Sequence, residues 1–255
     1  MSTQVILLTN ETPLYRALET FKNARIGGLP VINREVEYVG LLSKSDFFKP
    51  VLLDRLAKKE DVTRLPIGEI MTAEDLVLIP PDATVMDAAK IMVGQHLHRV
   101  FVQNEEGRIG GVVSSMDVLR LFVDNELDTT TIEPVMTRKL FSVPWNASLM
   151  EVCRSLDARK VSGMPVLDEQ QRFTGFISNT DLIKFLTDPA HLITLRVREI
   201  MRHQLVSLPI TESIENASRR MVNDRIHRVF VHDQNHAICG VLSTLDVARF
   251  ILGPV

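Results

Sequence analysis

The chain has 255 residues, 45% of them apolar and 24% charged, which is ordinary globular usage with enough length for a sizeable core. Lys and Arg number 29 against 32 Asp and Glu, a balance of −3 that excludes a strongly basic nucleic-acid or membrane surface. The apolar opening is too short for a signal peptide, no later stretch approaches a membrane span, and Cys153 and Cys239 have no spaced partners for a disulfide or zinc framework, so a cytoplasmic protein is expected.

In chain order, Val5 to Leu8 reads as a short strand, and Leu14, Ala17, Leu18 and Phe21 follow at i, i+3, i+4 and i+7, one apolar face of a helix. Two strand-like runs come next, and Gly40-Leu-Leu-Ser43-Lys-Ser-Asp46 closes the second and opens another helix. The same order returns three times. The short runs are Leu76 to Ile79, Leu140 to Val143 and Leu205 to Leu208. The helical faces begin at Val85, Leu149 and Ile214, with Asp82, Asn146 and Thr211 placed as N-caps. The paired strands are clearest in the second repeat, where Arg99 to Gln103 and Ile109 to Val113 flank the turn Asn104 to Gly107.

Each repeat ends on the same motif: Gly111 with Ser114 and Asp117, Gly175 with Ser178 and Asp181, Gly240 with Ser243 and Asp246. From Asp46 the aspartates step by 71, 64 and 65 residues. Periodicity of this length decides the architecture. The prediction is an α/β chain of four tandem units, each strand, helix, strand, strand, helix, at 1–58, 66–125, 131–188 and 195–255, joined by polar linkers over 58–65, 124–131 and 187–194. Lead-ins Ile70-Met71-Thr72, Val135-Met136-Thr137 and Ile200-Met201-Arg202 precede the last three units, and the first has none.

A second period overlies the first. Odd repeats carry Gly27-Gly-Leu-Pro30 and Ser162-Gly-Met-Pro165 where even repeats carry His98-Arg-Val-Phe101 and His227-Arg-Val-Phe230. This makes a pair of pairs, with modules expected at about 1–125 and 126–255.

Ser-x-x-Asp at a helix start has two readings. It is the spacing of a capping box, although that box favours Glu or Gln. It also sets a hydroxyl and a carboxylate beside free backbone N–H groups, which suits a sugar's vicinal hydroxyls and a nearby phosphate, with the glycine letting a ligand approach. The two are compatible. The His-Arg pairs, confined to even repeats, offer imidazole and guanidinium to phosphate, with the imidazole charge lost above about pH 6.5. His232-x-x-x-His236 falls in a turn and reads as solvated loop, and no catalytic pairing recurs with the repeats, so neither a metal site nor an enzyme is expected.

The lead-in, the apolar helix, the Pro-Val strand and the closing Gly-to-Asp motif resemble the cystathionine-β-synthase (CBS) domain. The odd and even alternation resembles the γ regulatory subunits of AMP-activated protein kinases, whose second and fourth repeats also carry His-Arg. The resemblance implies four CBS repeats in two Bateman modules forming a flat disc. It implies that Asp46, Asp117, Asp181 and Asp246 hold ribose, that Ser43, Ser114, Ser178 and Ser243 line the clefts, and that His98, Arg99, His227 and Arg228 meet phosphates. Thr72, Thr137 and Arg202 would also approach the nucleotide. Two departures leave occupancy open: the γ subunits have arginine in the column of Gly27, and a basic pair where this chain has Met116-Asp117.

The implied function is a non-catalytic sensor of AMP, ADP or ATP, with or without Mg²⁺ on the nucleotide and with no resident cofactor. It would signal to a partner such as a kinase or metabolic enzyme. The alternatives are another adenosyl ligand such as S-adenosylmethionine, a nucleotide-acting enzyme, or a scaffold with vestigial clefts.

Overall fold

The structure, a computed structural model, describes residues 2–3, 5–23, 26–73, 76–123 and 130–253. The linker expected over 124–131 lies mostly outside them. Repeat 1 comprises β1 (Leu8–Thr9), α1 (Leu14–Asn23), β2 (Gly28–Ile32), β3 (Tyr38–Ser43), a 3₁₀ turn (Asp46–Phe48) and α2 (Pro50–Ala57). Repeat 2 comprises β4 (Leu78–Ile79), α3 (Val85–Gly94), β5 (Arg99–Gln103), β6 (Ile109–Ser114) and α4 (Ser115–Val123). Repeat 3 comprises β7 (Val143–Pro144), α5 (Leu149–Arg159), β8 (Gly163–Leu167), β9 (Phe173–Ser178), α6 (Asn179–Leu182) with a 3₁₀ extension (Ile183–Phe185), and α7 (Pro189–Thr194). Repeat 4 comprises β10 (Ser207–Pro209), α8 (Ile214–Asp224), β11 (Arg228–His232), β12 (Ile238–Ser243) and α9 (Thr244–Leu252).

Each repeat makes a three-stranded sheet in chain order. The first strand pairs parallel to the second across the first helix, the crossover that parallel strands require. The second pairs antiparallel to the third, so that Arg99 faces Ser114 and Arg228 faces Ser243. The first strands are shorter and later than their apolar runs. The even first strands gain one further bond to the second strand. Phe101 and Phe230 donate their N–H groups to Val77 and Val206 at 3.0 and 2.9 Å. Pro30 and Pro165 hold the same column in odd repeats and have no N–H to give.

The expected N-caps are displaced. Thr84, Ser148 and Ser213 accept from the backbone N–H groups of Asp87, Glu151 and Asn216, two residues after Asp82, Asn146 and Thr211. Only the hydroxyl immediately before the first helical residue reaches the third amide, and such a cap is worth about 1 kcal/mol.

The chain separates into two compact units that interleave the repeats. One holds 1–5, 77–140 and 205–255, hence repeats 2 and 4; the other holds 6–76 and 141–204, hence repeats 1 and 3. The expected modules group repeats by order along the chain, whereas helix packing groups them by parity. Within the even unit the repeats complete each other's cores. Leu245 and Ala248 of α9 join Ala88, Met92 and Val118 of repeat 2, while Met116 and Leu119 of α4 join Ile214, Met221 and Leu242 of repeat 4. Within the odd unit a single cluster runs from Phe47, Leu52 and Leu56 to Cys153, Leu156 and Leu182. At about 1.5–3 kcal/mol for each fully buried large side chain, neither repeat of a unit stands well without the other.

The lead-ins lie antiparallel against the third strands. Thr72 bridges Leu41 and Arg202 bridges Phe176 in the odd unit; Ser2 bridges Val112 and Thr137 bridges Val241 in the even unit. Ser2 thus fills a track for which no lead-in was expected. Met1-Ser2 repeats the order of Met71-Thr72 and Met136-Thr137, a signal the spacing argument passed over.

Candidate functional site

Every motif aspartate closes a capping contact with its own serine. Asp46 Oδ2 accepts from the Ser43 N–H at 2.6 Å and the Ser43 hydroxyl at 2.7 Å. Asp117, Asp181 and Asp246 do the same with Ser114, Ser178 and Ser243, the amides at 2.9, 3.0 and 2.9 Å and the hydroxyls at 2.5 Å. One oxygen of each carboxylate is therefore spent on holding the strand-to-helix turn, and the other decides what the site can bind.

That second oxygen divides the four sites by parity. Asp46 Oδ1 accepts from Thr72 Oγ1 and forms an ion pair with Lys49 Nζ, each at 2.7 Å. The same ammonium donates to the carbonyls of Ile70 and Met71 and to Thr72 Oγ1, at 2.7, 3.0 and 3.1 Å. Asp181 Oδ1 accepts from Arg202 Nε at 2.8 Å and forms an ion pair with its Nη2 at 2.7 Å. In the even unit the neighbours stand off: Arg120 Nη1 is 3.9 Å from Asp117 Oδ1, and Arg249 Nη1 is 3.6 Å from Asp246 Oδ1. Among the described residues, neither of these two oxygens accepts a hydrogen bond. The odd carboxylates are 4% and 8% exposed, against 31% and 11% for Asp117 and Asp246.

Local structure explains the difference at Asp46. All four aspartates have a basic residue three positions later, namely Lys49, Arg120, Lys184 and Arg249. In repeat 1 the turn after Asp46 is 3₁₀, in which residues three apart eclipse, and Pro50 starts a separate helix. Lys49 therefore folds back over Asp46. In α4 and α9 the turn is a regular α-helix, and the arginines lie farther from their aspartates.

The motif glycines serve the lead-ins. Gly40 has φ +152°, and a Cβ there would lie 2.3 Å from the Thr72 carbonyl oxygen; at Gly175 it would lie 2.7 Å from that of Arg202. At Gly40 and Gly175 the expectation that the glycine admits a ligand is corrected, because the close approach is made by the chain's own backbone; at Gly240 the lead-in's Met136 side chain fills the space, with Sδ 2.6 Å from where a Cβ would lie.

The even unit brings together the two His-Arg pairs, which lie 129 residues apart in the chain. His98 and His227 precede β5 and β11, and their carbonyls accept the N–H groups of Ser115 and Thr244 at 3.0 Å. The buried hydroxyls of Ser115 and Thr244 meet at 2.8 Å, so the N-termini of α4 and α9 adjoin. His98 lies within electrostatic reach of Arg228, His227 and Arg99. Protein packing around the ring, which is nonetheless exposed at its surface, and then the neighbouring Arg228, His227 and Arg99 push its pKa down to about 4. Burial also lowers the pKa of the half-buried guanidiniums Arg99 and Arg228, and the Asp246 carboxylate opposes that shift on Arg228. The site joins two helix N-termini, two guanidiniums and two imidazoles, with spare carboxylate oxygens at Asp117 and Asp246. Such an arrangement favours an anion beside a hydroxylated group.

The odd unit has none of these basic residues in the equivalent columns. Its cleft at Asp46 is a cavity of about 380 Å³ lined in part by Ser43, Ser45, Lys49, Thr72 and Asn179. Asn179 Nδ2 donates to Ser45 Oγ at 3.0 Å, whereas its buried Oδ1 accepts nothing among the described residues. A larger concavity, about 730 Å³, lies at the start of α5 around Asn146, Glu151, Arg154 and Arg196, away from every motif residue. The rings of His232 and His236 lie 5.1 Å apart in the β11–β12 turn, and no group of three His, Cys, Asp or Glu side chains able to hold a metal occurs among the described residues. Cys153 is buried, which pushes its thiol pKa up, and Cys239 is half-buried; both are free. No helix among the described residues is long and apolar enough to cross a membrane. Lys49 and Ser2 were not singled out from the sequence; the Asp-x-x-basic spacing and the Met-Ser order would have found them.

Known proteins supply the context. The family model of the CBS domain matches residues 1–66, 67–124, 132–188 and 197–253. The uncharacterized protein MJ1225 of Methanocaldococcus jannaschii is 25% identical over 197 residues, 72% of this chain and 68% of that protein. The L-aspartate semialdehyde sulfurtransferase of Methanosarcina acetivorans is 27% identical over 176 residues, but the match spans only 33% of that enzyme. Among solved structures, MJ1225, described as a proposed archaeal homolog of γ-AMPK, has a TM-score of 0.88 at 20% identity, over 98% of this chain and 97% of that one. A conserved protein of Pyrococcus horikoshii gives 0.65 at 18% identity over 99% and 97%. At these identities the structural likeness shows the fold.

Proposed function

The chain belongs to the CBS family and carries four of its domains, and on that footing we propose that it is a regulatory protein that binds adenine nucleotides and reports their presence to a partner protein. The observation that carries this reading is the convergence of His98, Arg99, His227 and Arg228 in the even unit, beside Asp246. Four basic side chains brought together and partly desolvated favour a ligand of high negative charge density. The unengaged oxygens of Asp117 and Asp246 suit the vicinal hydroxyls of ribose, and Ser114 and Ser243 stand beside them.

AMP, ADP and ATP combine those two chemistries. S-adenosylmethionine has the ribose but brings a sulfonium and an ammonium toward the cation cluster, which disfavours it there. The sulfurtransferase relative lends no activity, since this chain matches a third of it. Signalling follows from the packing: α4 and α9 complete each other's repeat cores, so a ligand at their N-termini changes the balance between arrangements of the even unit. The likeness to a protein described as a γ-AMPK homolog makes a protein kinase the first partner to test.

Titration calorimetry with AMP, ADP, ATP, GMP and S-adenosylmethionine tests the reading. Adenine nucleotides should bind most tightly. Absence of binding by any adenosyl ligand contradicts it.

A further inference from the structure

The two odd sites hold the motif with its binding capacity already used. A carboxylate offers about four lone-pair positions. At Asp46 three are taken by hydrogen bonds, two from Ser43 and one from Thr72, and the Lys49 ammonium pairs with the second oxygen at 2.7 Å. At Asp181 three are taken by hydrogen bonds, two from Ser178 and one from Arg202 Nε, and Arg202 Nη2 pairs with the second oxygen at 2.7 Å. At Asp117 and Asp246, among the described residues, only the two from serine are taken, and the paired arginines stand off at 3.9 and 3.6 Å.

We infer that Lys49 with Thr72, and Arg202, are built-in occupants of the ribose-binding positions at Asp46 and Asp181, so that the chain takes two adenosyl ligands, at Asp117 and Asp246, and none at the odd sites. The inference rests on the proposed nucleotide reading and adds which sites work and which residues close the others. Arg202 mimics a diol in one respect: two N–H donors on one side chain meet the carboxylate as two ribose hydroxyls would. A ribose entering there must displace a charge-assisted pair and gains only neutral hydrogen bonds in return. At Lys49 the barrier is higher, because the ammonium also satisfies the Ile70 and Met71 carbonyls, which would lose their donor. The even sites meet no such competition.

Closure at Asp181 depends on one side chain from a separate segment. The same lead-in column carries threonine at Thr72 and Thr137, so Arg202→Thr restores a residue the column already accepts and removes the charged pair, leaving at most the one position that Thr72 takes at Asp46.

Native mass spectrometry of the full chain with saturating AMP counts the ligands. Two per wild-type chain is expected, with Asp117→Asn and Asp246→Asn each leaving one. Asp46→Asn and Asp181→Asn should still bind two, and Arg202→Thr should bind three. Three or four ligands on the wild-type chain overturn the inference while leaving the nucleotide reading intact, and this count needs no variant to fold. Loss of a ligand in Asp181→Asn also overturns it. Zero ligands with AMP and with every other adenosyl compound overturns the inference and the nucleotide reading together.

Discussion

Arg202 places Nε and Nη2 on a single oxygen of Asp181, at 2.8 and 2.7 Å, across 21 residues of chain. The carboxylate is almost wholly buried, so removing its cation leaves a charge held by the Ser178 hydrogen bonds alone. Arg202→Ala should cost about 1–3 kcal/mol in urea denaturation, discounted for the arginine's own exposure. Asp181→Asn with Arg202→Ala should recover part of that loss. Arg120→Ala, whose guanidinium stands off at 3.9 Å and is half exposed, should change stability by less than about 0.5 kcal/mol. Equal losses from Arg202→Ala and Arg120→Ala contradict the difference between odd and even sites.

The cation cluster makes the ligand-free protein sensitive to acid. His98 titrates at about 4 in the folded chain, below the value near 6.5 of an unfolded one. Between those values the unfolded chain binds more protons, so the His98 contribution is intact above about pH 6.5 and is lost as pH falls toward 4. Melting temperature should drop between pH 7 and 5, and His98→Gln should flatten part of that drop. A bound phosphate favours the charged imidazole, so AMP binding near pH 6 should draw a proton onto His98, while the phosphate, whose own second pKa is about 6, gives protons up. Read as a dependence of binding enthalpy on the buffer, the proton balance of the wild-type chain should lie further toward uptake than that of His98→Gln, and an equal balance in the two contradicts this placement of phosphate.

Two glycines should respond oppositely to alanine. Gly40 has φ +152°, and its added Cβ would meet the Thr72 carbonyl, so Gly40→Ala should lose about 1–3 kcal/mol. Gly94 ends α3 with open space around it, and Gly94→Ala should gain about 0.4–1 kcal/mol. Thermal melts of the two variants read the contrast. Tolerance of Gly40→Ala would mean that the lead-in is not held against β3 as described.

The repeats, their strand and helix order and the parity of the His-Arg pairs were legible in the sequence, because apolar spacing and repeated motifs are local signals. The lead-in exchanges and the core sharing between α4 and α9 were not, since they depend on which repeat packs against which. The N-caps lie two residues later than Asp82, Asn146 and Thr211, because several polar residues precede each helix and only the hydroxyl next to its first residue reaches the amide. The four Ser-x-x-Asp motifs look equivalent as text. Their division into closed and open carboxylates comes from a 3₁₀ turn that brings Lys49 back over Asp46 and from a bridge that places Arg202 on Asp181. The depressed pKa of His98 was also out of reach, because its first cause is the packing around the ring and its second is the arrival of Arg228 and His227 from the far end of the chain.

Titration calorimetry of AMP against adenosine, on the wild-type chain and on His98→Ala, Arg99→Ala, His227→Ala and Arg228→Ala, tests the central claim most directly. If these four residues receive phosphate, each variant should weaken AMP by about 1.5–3 kcal/mol per charged hydrogen bond removed and largely spare adenosine, which carries no phosphate. The AMP advantage should also shrink as salt rises. Equal loss of AMP and adenosine in these variants, or no preference for AMP over adenosine in the wild-type chain, would contradict the account.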